Sequence, residues 1–353
     1  MKILVLCLPG IGDALMATPM IKSLRQNNPE AIIDVVCMFG AVEYVFKSNP
    51  NVNNVYRLSI YNANKFSGLR EILSLRKKKY DISILAFPAF RREYHIVHWL
   101  LGAKKRIAHK FDKGFWSELH FLNKDLVVVD ETEHNVTNNM NLLKALGFDW
   151  QKEVSRDQIK YDLILDEKDI TFGRKYIEEL GWKFGDIVGI HPGSTNSPTS
   201  ILRRWPIERY AEVARFLIKE KQKKVLIFAG SDEKDLGHRL FELIGDPTSC
   251  RLVDGIGFGN MLGVLDNISL LLCNDSGLGH IAVSRGKKIV AVFAPTNDKW
   301  SLPYGHNLVS LIRPKDFQPW YRYDLKRKVP SGVEGGADKI SVSQVIDVTS
   351  QIL

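Results

Sequence analysis

A glycine-rich turn near the start of the chain carries an acid where a phosphate-binding turn is usually neutral. The segment LPGIGDALMATP, residues 8–19, follows the apolar run MKILVLC and precedes a helical pattern. Leu15 stands where the third glycine of a dinucleotide-binding fingerprint belongs, and Asp13 would repel a pyrophosphate at the helix N-terminus. Two interpretations of Asp13 stay open: a helix cap or turn residue, or a general base at the carboxyl end of the first strand.

A second candidate segment places hydroxyls and arginines directly after an apolar strand. It is HPGSTNSPTSILRRWPIERYAEVA, residues 191–214, in which Ser194 and Thr195 precede Arg203 and Arg204. Hydroxyl and guanidinium groups suit a diphosphate. A stretch rich in Ser, Thr, Asn and Pro is also typical of a plain surface loop, so this segment alone is not decisive.

A third segment, LLLCNDSGLGHIAVSRG at residues 270–286, also passes from an apolar strand to a helix. Gly277 allows close approach of a ligand to the backbone, and the first N–H groups of the helix can receive an anion. Asp275 or Ser276 taken singly is a common helix cap, and a lone helical His280 is more often packed than functional. The pairing of two such turns in one half of the chain nevertheless favours an anion site.

The bulk composition indicates a globular protein of two domains. A chain of 353 residues is long for one core, and its 45% hydrophobic and 25% charged content is typical of soluble proteins. No apolar run approaches the ~20 residues that span a bilayer. Pro9, Gly10 and Asp13 cut the apolar start too early for a signal peptide, so we expect a cytoplasmic protein. The four scattered cysteines predict buried, reduced thiols.

The positive charge is confined to the first third of the chain. Residues 1–113 contain 18 Lys+Arg and 8 Asp+Glu, a net charge of +10. The remaining residues contain 31 Lys+Arg and 32 Asp+Glu, a net charge of −1. The densest basic clusters are at 75–80, 90–93 and 103–110. This asymmetry predicts an anionic partner for the first third. The clusters show little aromatic interleaving, which argues against a nucleic acid as that partner.

Apolar runs alternate with amphipathic stretches along the chain, which predicts two doubly wound α/β domains with parallel sheets. The expected strands are 3–8, 32–37, 55–58, 82–87 and 106–108, then 186–191, 224–229, 251–253, 269–273 and 289–293. The expected helices are 14–26, 68–76, 207–220, 233–244, 260–265 and 277–284, with a further helix at the C-terminus. A charged stretch at 152–185 separates the halves, and Pro19 should mark an early turn or kink.

Together these segments resemble glycosyltransferase family nine, the heptosyltransferase-like enzymes of bacterial lipopolysaccharide core assembly. PGIGDALMATP is similar to the family's opening Gly-Asp loop, and HPGS…RRWPIERYAEVA to its central loop. NDSGLGHIA is similar to its Asp-Thr/Ser-Gly-x-x-His turn, and FAPTN…PYG to a further segment. The resemblance implies a GT-B fold, in which two Rossmann-like domains face each other across a cleft. Residues 1–165 would bind the acceptor and 166–339 the nucleotide sugar, with the C-terminal helix 340–353 completing the first domain.

The resemblance also implies roles for individual residues. Asp13 becomes the general base, with Gly12 beside it on the acceptor side. The expected donor diphosphate contacts are Ser194, Thr195, Arg203, Ser276, Gly277 and His280. The expected donor nucleoside and sugar contacts are Glu233, Ile256 and Asp275. The charge asymmetry adds Lys77, Lys78, Lys104 and Lys105 on the acceptor side. Relatives often carry Lys where this chain has Arg203, and the choice between Arg203 and Arg204 as the diphosphate contact stays open.

The implied activity is inverting transfer of a heptose or related sugar from an ADP-sugar to an anionic saccharide hydroxyl, as in the lipopolysaccharide core. No metal or other cofactor is expected, and the acceptor implies reversible contact with the inner membrane surface. One alternative is a glycosyltransferase of the same fold that uses another nucleotide sugar or acceptor. Another is a non-catalytic nucleotide-sugar binder. The broken glycine fingerprint argues against an NAD-dependent dehydrogenase.

Overall fold

The computed structural model describes residues 1–60, 65–113, 115–195, 197–305, 307–321, 332 and 334–353. The chain divides into two compact units, Met1–Ile164 and Leu165–Leu353. In its described residues each unit is built on a six-stranded parallel sheet with helices between the strands. The α/β class with two doubly wound parts, predicted from the alternation of apolar runs, is confirmed.

The first sheet has the strand order β3-β2-β1-β4-β5-β6. Its strands are β1 (Lys2–Leu6), β2 (Ile32–Cys37), β3 (Asn54–Arg57), β4 (Ile82–Leu85), β5 (Lys105–Lys110) and β6 (Asp125–Val128). The helices are α1 (Ile11–Asn27), α2 (Gly40–Lys47), α3 (Lys65–Arg76), α4 (Arg92–Leu100), α5 (Asn135–Asn141) and α6 (Trp150–Glu153), with 3₁₀ turns at His120–Leu122, Leu142–Leu146 and Arg156–Gln158. Because β1 pairs with both β2 and β4, the order reverses at β1, and its following loop lies at a topological switch point.

Helix α1 passes through Pro19 without ending there. Pro19 has no N–H for the carbonyl oxygen of Leu15. The hydroxyl of Thr18 donates to that oxygen instead, at 2.7 Å, and itself accepts the backbone N–H of Asp162 at 3.0 Å. Thr18 is fully buried, and its hydroxyl replaces the N–H that Pro19 lacks, so α1 continues past Pro19.

The second sheet has the strand order β12-β11-β10-β7-β8-β9. Its strands are β7 (Ile187–His191), β8 (Lys224–Phe228), β9 (Cys250–Val253), β10 (Leu270–Asn274), β11 (Lys288–Val292) and β12 (Val309–Ile312). The helices are α7 (Glu167–Glu179), α8 (Pro198–Ile201), α9 (Ile207–Lys219), α10 (Lys234–Ile244), α11 (Phe258–Leu265), α12 (Gly277–Ser284), α13 (Asp298–Ser301) and α14 (Val342–Ile352), with a 3₁₀ turn at Ala337–Lys339. Here the order reverses at β7, which pairs with β8 and β10.

The charged stretch 152–185, predicted only to separate the domains, contains α7. This helix packs closely on α11, because Gly173 and Gly263 face each other without side chains. A Cβ built on Gly173 would lie 2.0 Å from the carbonyl oxygen of Gly263. Most charged residues of α7 are exposed to solvent, whereas Asp169 and Ile177 are buried. The stretch is therefore part of the second unit.

The C-terminal helix α14 belongs to the second unit, so the prediction that it completes the first domain is wrong. It packs on α9 and β11, and Val345 is buried in the apolar cluster that also contains Ile340 and Leu217. The carbonyl oxygen of Ile340, just before α14, accepts hydrogen bonds from Trp205 Nε1 at 2.9 Å and Arg209 Nη1 at 2.6 Å. Apolar packing and these two bonds hold the C-terminus to α9.

In the described residues, no helix combines the length and apolar character needed to cross a membrane. The four cysteines, Cys7, Cys37, Cys250 and Cys273, are free thiols and are buried, as the scattered spacing predicted.

Candidate functional site

His191 connects two strand ends of the second sheet. It is the last residue of β7, between the turns that follow β8 and β10. Its Nδ1 lies 3.0 Å from Ser276 Oγ, and its Nε2 lies 3.1 Å from Glu233 Oε2. Since a carboxylate only accepts hydrogen bonds, Nε2 carries the proton in that contact. In a neutral ring Nδ1 then accepts the hydroxyl proton of Ser276.

Glu233 is a buried carboxylate held by several donors. Burial raises its pKa, but the hydrogen bond and charge of His191, the charge of Arg204 and the backbone N–H of Ser194 outweigh that effect, so the pKa of Glu233 lies below its ordinary value. Arg204 Nη2 is 3.5 Å from Glu233 Oε1 and 3.1 Å from the carbonyl oxygen of Thr195. Glu233 thereby fixes the loop that follows β7.

The loop lies so close to Glu233 that a side chain at residue 193 would displace the carboxylate. A Cβ built on Gly193 would lie 2.2 Å from Glu233 Oε2 and 2.3 Å from its Cδ and Oε1. No side chain fits that space while the carboxylate keeps its position. The glycine at 193 is therefore needed for contact with Glu233, which the sequence pattern alone did not show.

Arg203 and Arg204 extend to opposite sides of this loop. Arg203 Nη1 binds Asp275 Oδ2 at 3.0 Å, and its Nη2 donates to Ser200 Oγ at 2.8 Å. Its guanidinium carbon also lies 5.3 Å from the ring centroid of Tyr321. Arg203 is thus joined to the turn after β10, whereas Arg204 is joined to Glu233 after β8. Each guanidinium charge is balanced by one carboxylate.

Asn274, the last residue of β10, fixes the start of both candidate segments. Its Oδ1 accepts the backbone N–H of Trp205 and the hydroxyl of Tyr210, each at 2.9 Å. Its Nδ2 donates to the carbonyl oxygen of Pro192 at 2.7 Å. Asn274 is 1% exposed and therefore positions neighbouring segments rather than a ligand.

The N-terminus of α12 is left without its expected side-chain cap. Ser276 stands at the N-cap position, yet its hydroxyl makes no capping bond to the helix because it binds His191. Gly277 begins the helix and carries no side chain. Asp275, Ser276 and Gly277 thus stand at one helix end beside Arg203, and their role as donor contacts stays a prediction.

The two hydroxyl residues predicted to line the diphosphate differ in their surroundings. Ser194 is buried, and its hydroxyl donates to the carbonyl oxygen of Ser200 at 2.7 Å. Thr195 is exposed, lies at φ +34° and makes a weak 3.3 Å contact with Ser200 Oγ. Ser194 therefore stabilises the loop around α8, and Thr195 is the hydroxyl that a ligand can reach.

His280 lies one turn into α12, and Ile256 lies in the turn after β9. Burial lowers the pKa of His280 to about 4, so its ring is neutral at physiological pH and brings no positive charge to a diphosphate. Ile256 is half-buried in the turn after β9, between Gly255 and Gly257, both at positive φ. The role of each as a donor contact stays a prediction.

In the first unit, Asp13 lies in the first turn of α1, at the end of β1. Its Oδ2 accepts the backbone N–H of Gly10 at 3.2 Å, so the carboxylate caps its own helix. Gly12 directly precedes Asp13 in α1, and both residues are half-buried. Asp13 therefore caps the helix from the N3 position, whereas the N-cap residue itself is Gly10. A cap at this position also holds the carboxylate at the edge where open α/β sheets bind ligands.

The four lysines predicted on the acceptor side lie at the other edge of the first sheet, so that prediction is wrong. Lys77 and Lys78 precede β4, and Lys104 and Lys105 lie at the start of β5. Asp13 follows the carboxyl end of β1. The two edges of the sheet are separated by the length of a strand, which is about 16 Å for five residues. Lys104 Nζ binds Asp81 Oδ1 at 2.7 Å and Lys105 Nζ binds the carbonyl oxygen of Ala145 at 2.6 Å. These two lysines therefore make local contacts on the surface of the first unit.

Comparison with known proteins decides the family. The family model described as glycosyltransferase family 9 (heptosyltransferase) matches residues 69–322. The chain belongs to glycosyltransferase family 9. This family 9 chain is 24% identical to lipopolysaccharide heptosyltransferase 2 of Salmonella typhimurium over 315 residues, 87% of this chain and 86% of that protein. It is therefore a glycosyltransferase, as the resemblance implied.

Solved structures of this family share the fold. A family 9 glycosyltransferase from Veillonella parvula matches with a TM-score of 0.81 and 24% identity, over 99% of this chain and 96% of that one. The Escherichia coli ADP-heptose lipopolysaccharide heptosyltransferase II matches with a TM-score of 0.74 and 21% identity, over 100% and 98%. The two-domain GT-B fold is confirmed by these matches.

Two residues of this family 9 site escaped the sequence analysis. His191 and Asn274 each end an apolar strand, where a polar residue is easily taken for the start of a loop. Their importance comes from the strand order, since each contacts segments about 70 to 90 residues away in sequence. The available signal was the position of both at carboxyl ends of strands in a parallel sheet.

Proposed function

We propose that this protein is an inverting glycosyltransferase that moves a heptose from ADP-heptose to a hydroxyl of the lipopolysaccharide core. The names of the matched relatives support lipopolysaccharide and heptose as the acceptor and sugar classes. The name of the Escherichia coli structure supports ADP-heptose as the donor. The remaining support comes from the arrangement of the second unit.

The observation that carries the proposal is the order of candidate groups along the second sheet. From β10 through β7 and β8 to β9, the carboxyl edge presents the Gly277 helix end, the Arg203 loop, Glu233 and then Ile256. This is the chemical order of a nucleoside diphosphate: phosphates, ribose, base. Three strand spacings cover about 14 Å, a length that suits an extended ADP. The sugar would then lie toward β11, where Thr296 follows the strand.

Asp13 would act as the general base for the acceptor. A hydroxyl is a weak nucleophile at neutral pH and needs a base within hydrogen-bond reach. In the proposed step the acceptor oxygen bonds to the anomeric carbon from the face opposite the diphosphate, and its proton passes to Asp13. The bond from that carbon to the diphosphate oxygen breaks, and its electron pair leaves with ADP. The backbone N–H of Gly10 helps to orient the carboxylate.

The second unit would stabilise the departing ADP. Negative charge grows on the diphosphate oxygen as the bond breaks, and preorganised donors aimed at that charge lower the barrier. The N–H groups at the start of α12 lack a cap from Ser276, so a phosphate oxygen can take that place. Arg203 adds charge beside them. We propose that this step needs no metal, which the chelator comparison below tests.

On the acceptor side, we propose Arg91 and Lys110 in place of the four lysines. Arg91 follows β4 and Lys110 ends β5, so both lie at the same sheet edge as Asp13. Cations there suit the phosphate groups of an anionic saccharide. Arg91→Ala and Lys110→Ala should each raise the acceptor KM several-fold, whereas Lys104→Ala, the matched control at the opposite edge, should leave it unchanged. We further propose that the protein works in the cytoplasm, in reversible contact with the inner membrane.

The direct test is turnover with purified protein, ADP-heptose and a heptose-deficient lipopolysaccharide core, with ADP release and product NMR as readouts. We expect one anomeric inversion per transfer, and the same rate with and without a chelator. Parallel reactions with UDP- and GDP-sugars test the alternative donors. Absence of transfer from ADP-heptose, together with transfer from another nucleotide sugar, would reject the proposed donor while keeping the fold and family.

A further inference from the structure

The first unit exposes six large apolar side chains on neighbouring segments, a set that we call the aromatic face. Trp116 is 73% exposed, and the other members are between 37% and 46% exposed. The members are Leu69 and Leu73 on α3, Ile96 and Trp99 on α4, and Trp116 and Phe121 beside α4. Exposed apolar residues scattered singly are ordinary, but a contiguous set marks an interaction surface.

The helices that carry this face cover the same side of the sheet. Leu75 of α3 and Val97 of α4 are buried in one apolar cluster with the strands, so the opposite faces of both helices point outward together. Arg76 Nη1 joins the ends of the two helices through the carbonyl oxygen of Leu100 at 3.0 Å.

The segment with the remaining aromatic residues is tied to α4. The 3₁₀ turn His120–Leu122 packs on this helix, and Glu118 Oε2 accepts the backbone N–H of Arg92 at 3.0 Å. The rings of Trp116 and Phe121 are 5.3 Å apart between centroids. Ile96 and Trp99 are three positions apart on the helix and therefore share its solvent side. These contacts, with the packing of α3 on α4, place the six side chains on neighbouring segments of the first unit.

Basic residues surround the aromatic face. Residues 65–124 contain 14 Lys+Arg and 5 Asp+Glu, a net charge of +9 that equals the charge of the whole chain. The exposed cations on or beside the face are Arg70, Arg76, Lys77, Arg92, Lys113 and Lys124. Six of the 14 cations in this range therefore lie on or beside the aromatic face, while Arg91 and Lys110 lie at the sheet edge that carries Asp13.

We propose that the aromatic face docks the protein on an anionic lipid bilayer. Tryptophan and phenylalanine enter the headgroup region, and lysine and arginine pair with anionic lipid headgroups around them. A bilayer fits better than a protein partner, because the apolar residues spread over two helices and a loop, within diffuse positive charge. The inference rests on the proposed contact with the inner membrane and deepens it by naming the surface that makes this contact.

The test is co-sedimentation of the full chain with vesicles of phosphatidylcholine alone or with 30% phosphatidylglycerol. The wild type should bind the anionic vesicles and hardly bind the neutral ones, with binding that weakens as salt rises. Trp99→Ser and Trp116→Ser should each weaken binding about ten-fold. Arg70→Gln and Lys77→Gln should each weaken it about five-fold. Brominated lipids should quench tryptophan fluorescence in the wild type, and less in a Trp99→Phe/Trp116→Phe variant.

Matched controls come from the second unit. Phe184→Ser removes an aromatic residue that is 54% exposed there, and Lys183→Gln and Lys219→Gln remove two exposed cations. These variants should bind vesicles like the wild type. Equal binding by the aromatic-face variants and the controls would overturn the proposal. So would charge dependence without any effect of the tryptophans, or a change of oligomeric state in place of vesicle binding.

A water-soluble, deacylated acceptor separates this inference from the proposed reaction. Its turnover needs no bilayer, so Trp99→Ser and Trp116→Ser should leave that rate unchanged. Loss of vesicle binding with normal turnover supports the docking surface. Absence of turnover in the wild type would contradict the proposed reaction and leave the vesicle result standing.

Discussion

Gly193→Ala should destabilise the second unit strongly, although it adds only one methyl group. The added Cβ would lie 2.2 Å from Glu233 Oε2, well below the 3.0 Å that real Cβ contacts respect. Its other two short contacts are also with the carboxyl group of Glu233. The carboxylate or the loop therefore has to move.

The size of the effect follows from what Glu233 loses. Its carboxylate contacts His191 Nε2 at 3.1 Å and Arg204 Nη2 at 3.5 Å, and it accepts the backbone N–H of Ser194. Displacing one partner of a buried charge pair costs about 3–5 kcal/mol, because the remaining charge stays buried without compensation. We expect the free energy of unfolding to fall by that amount. ADP affinity should also fall, because the loop after β7 would lose its contacts with Glu233.

Urea denaturation of the full chain, followed by circular dichroism, measures the change, with calorimetric titration of ADP beside it. A double-mutant cycle with Glu233→Ala tests the cause. Once the carboxylate is gone the methyl group meets no clash, so the double variant should be at least about 2 kcal/mol more stable than the sum of the single effects predicts. Gly68→Ala is the control, since its Cβ meets nothing closer than 3.4 Å. Additive effects, or a Gly193→Ala variant as stable as wild type, would refute the reasoning.

Two further predictions test the proposed catalytic and donor-binding residues. A third concerns the stability of the first unit, whose buried residues include His98 and His109. Asp13→Asn should keep the fold and ADP binding but lower turnover about 10²–10⁴-fold, measured by ADP release; near-normal turnover would remove Asp13 as the base. Arg203→Ala should weaken ADP binding in calorimetry more than Arg204→Ala weakens it, because Arg203 lies at the α12 end; the reverse ranking would move the contact to Arg204. Burial lowers the pKa values of His98 and His109 to about 4. Their stabilising effect is complete above the ordinary value near 6.5 and is lost as pH falls toward 4, by about 1.4 kcal/mol per pH unit for each ring. A urea midpoint that stays constant between pH 7 and 5 would contradict this.

The strands that the sequence predicted include the edge strands β3 and β9 and all of the strands that are buried on both faces of a sheet. Such strands are continuous apolar runs, as in β1 and β10, and their pattern survives without any alignment. The strands that it missed are β6 and β12, at the edges, where only part of each side chain is buried. The helix α7 was missed for a related reason. Its buried side is narrow and depends on the glycine contact with α11, which a charge pattern hides.

The candidate site was predictable in its segments but not in its pairings. Both polar turns of the second unit were recognised, because hydroxyls, arginines and glycines follow apolar strands there. The Arg203–Asp275 and His191–Glu233 contacts depend on β7 lying between β8 and β10, which only the strand order reveals. The lysine error had an available remedy. A residue that precedes a strand of a parallel sheet lies at the amino edge, away from the site, so Lys77 and Lys104 could have been excluded from sequence.

The acid in the first glycine-rich turn now has a physical explanation. Each unit has one switch point, and the two have opposite electrostatics. At the switch point of the second unit, the hydroxyl of Ser276 binds His191 and does not cap α12. The first N–H groups of α12 therefore lack a cap from Ser276, and Arg203 lies beside them. At the first, Asp13 accepts the N–H of Gly10 and so occupies the place that an anion would take. In the proposed reaction a phosphate would be favoured at the second turn and repelled at the first, which would leave the first turn for a neutral hydroxyl that must lose a proton.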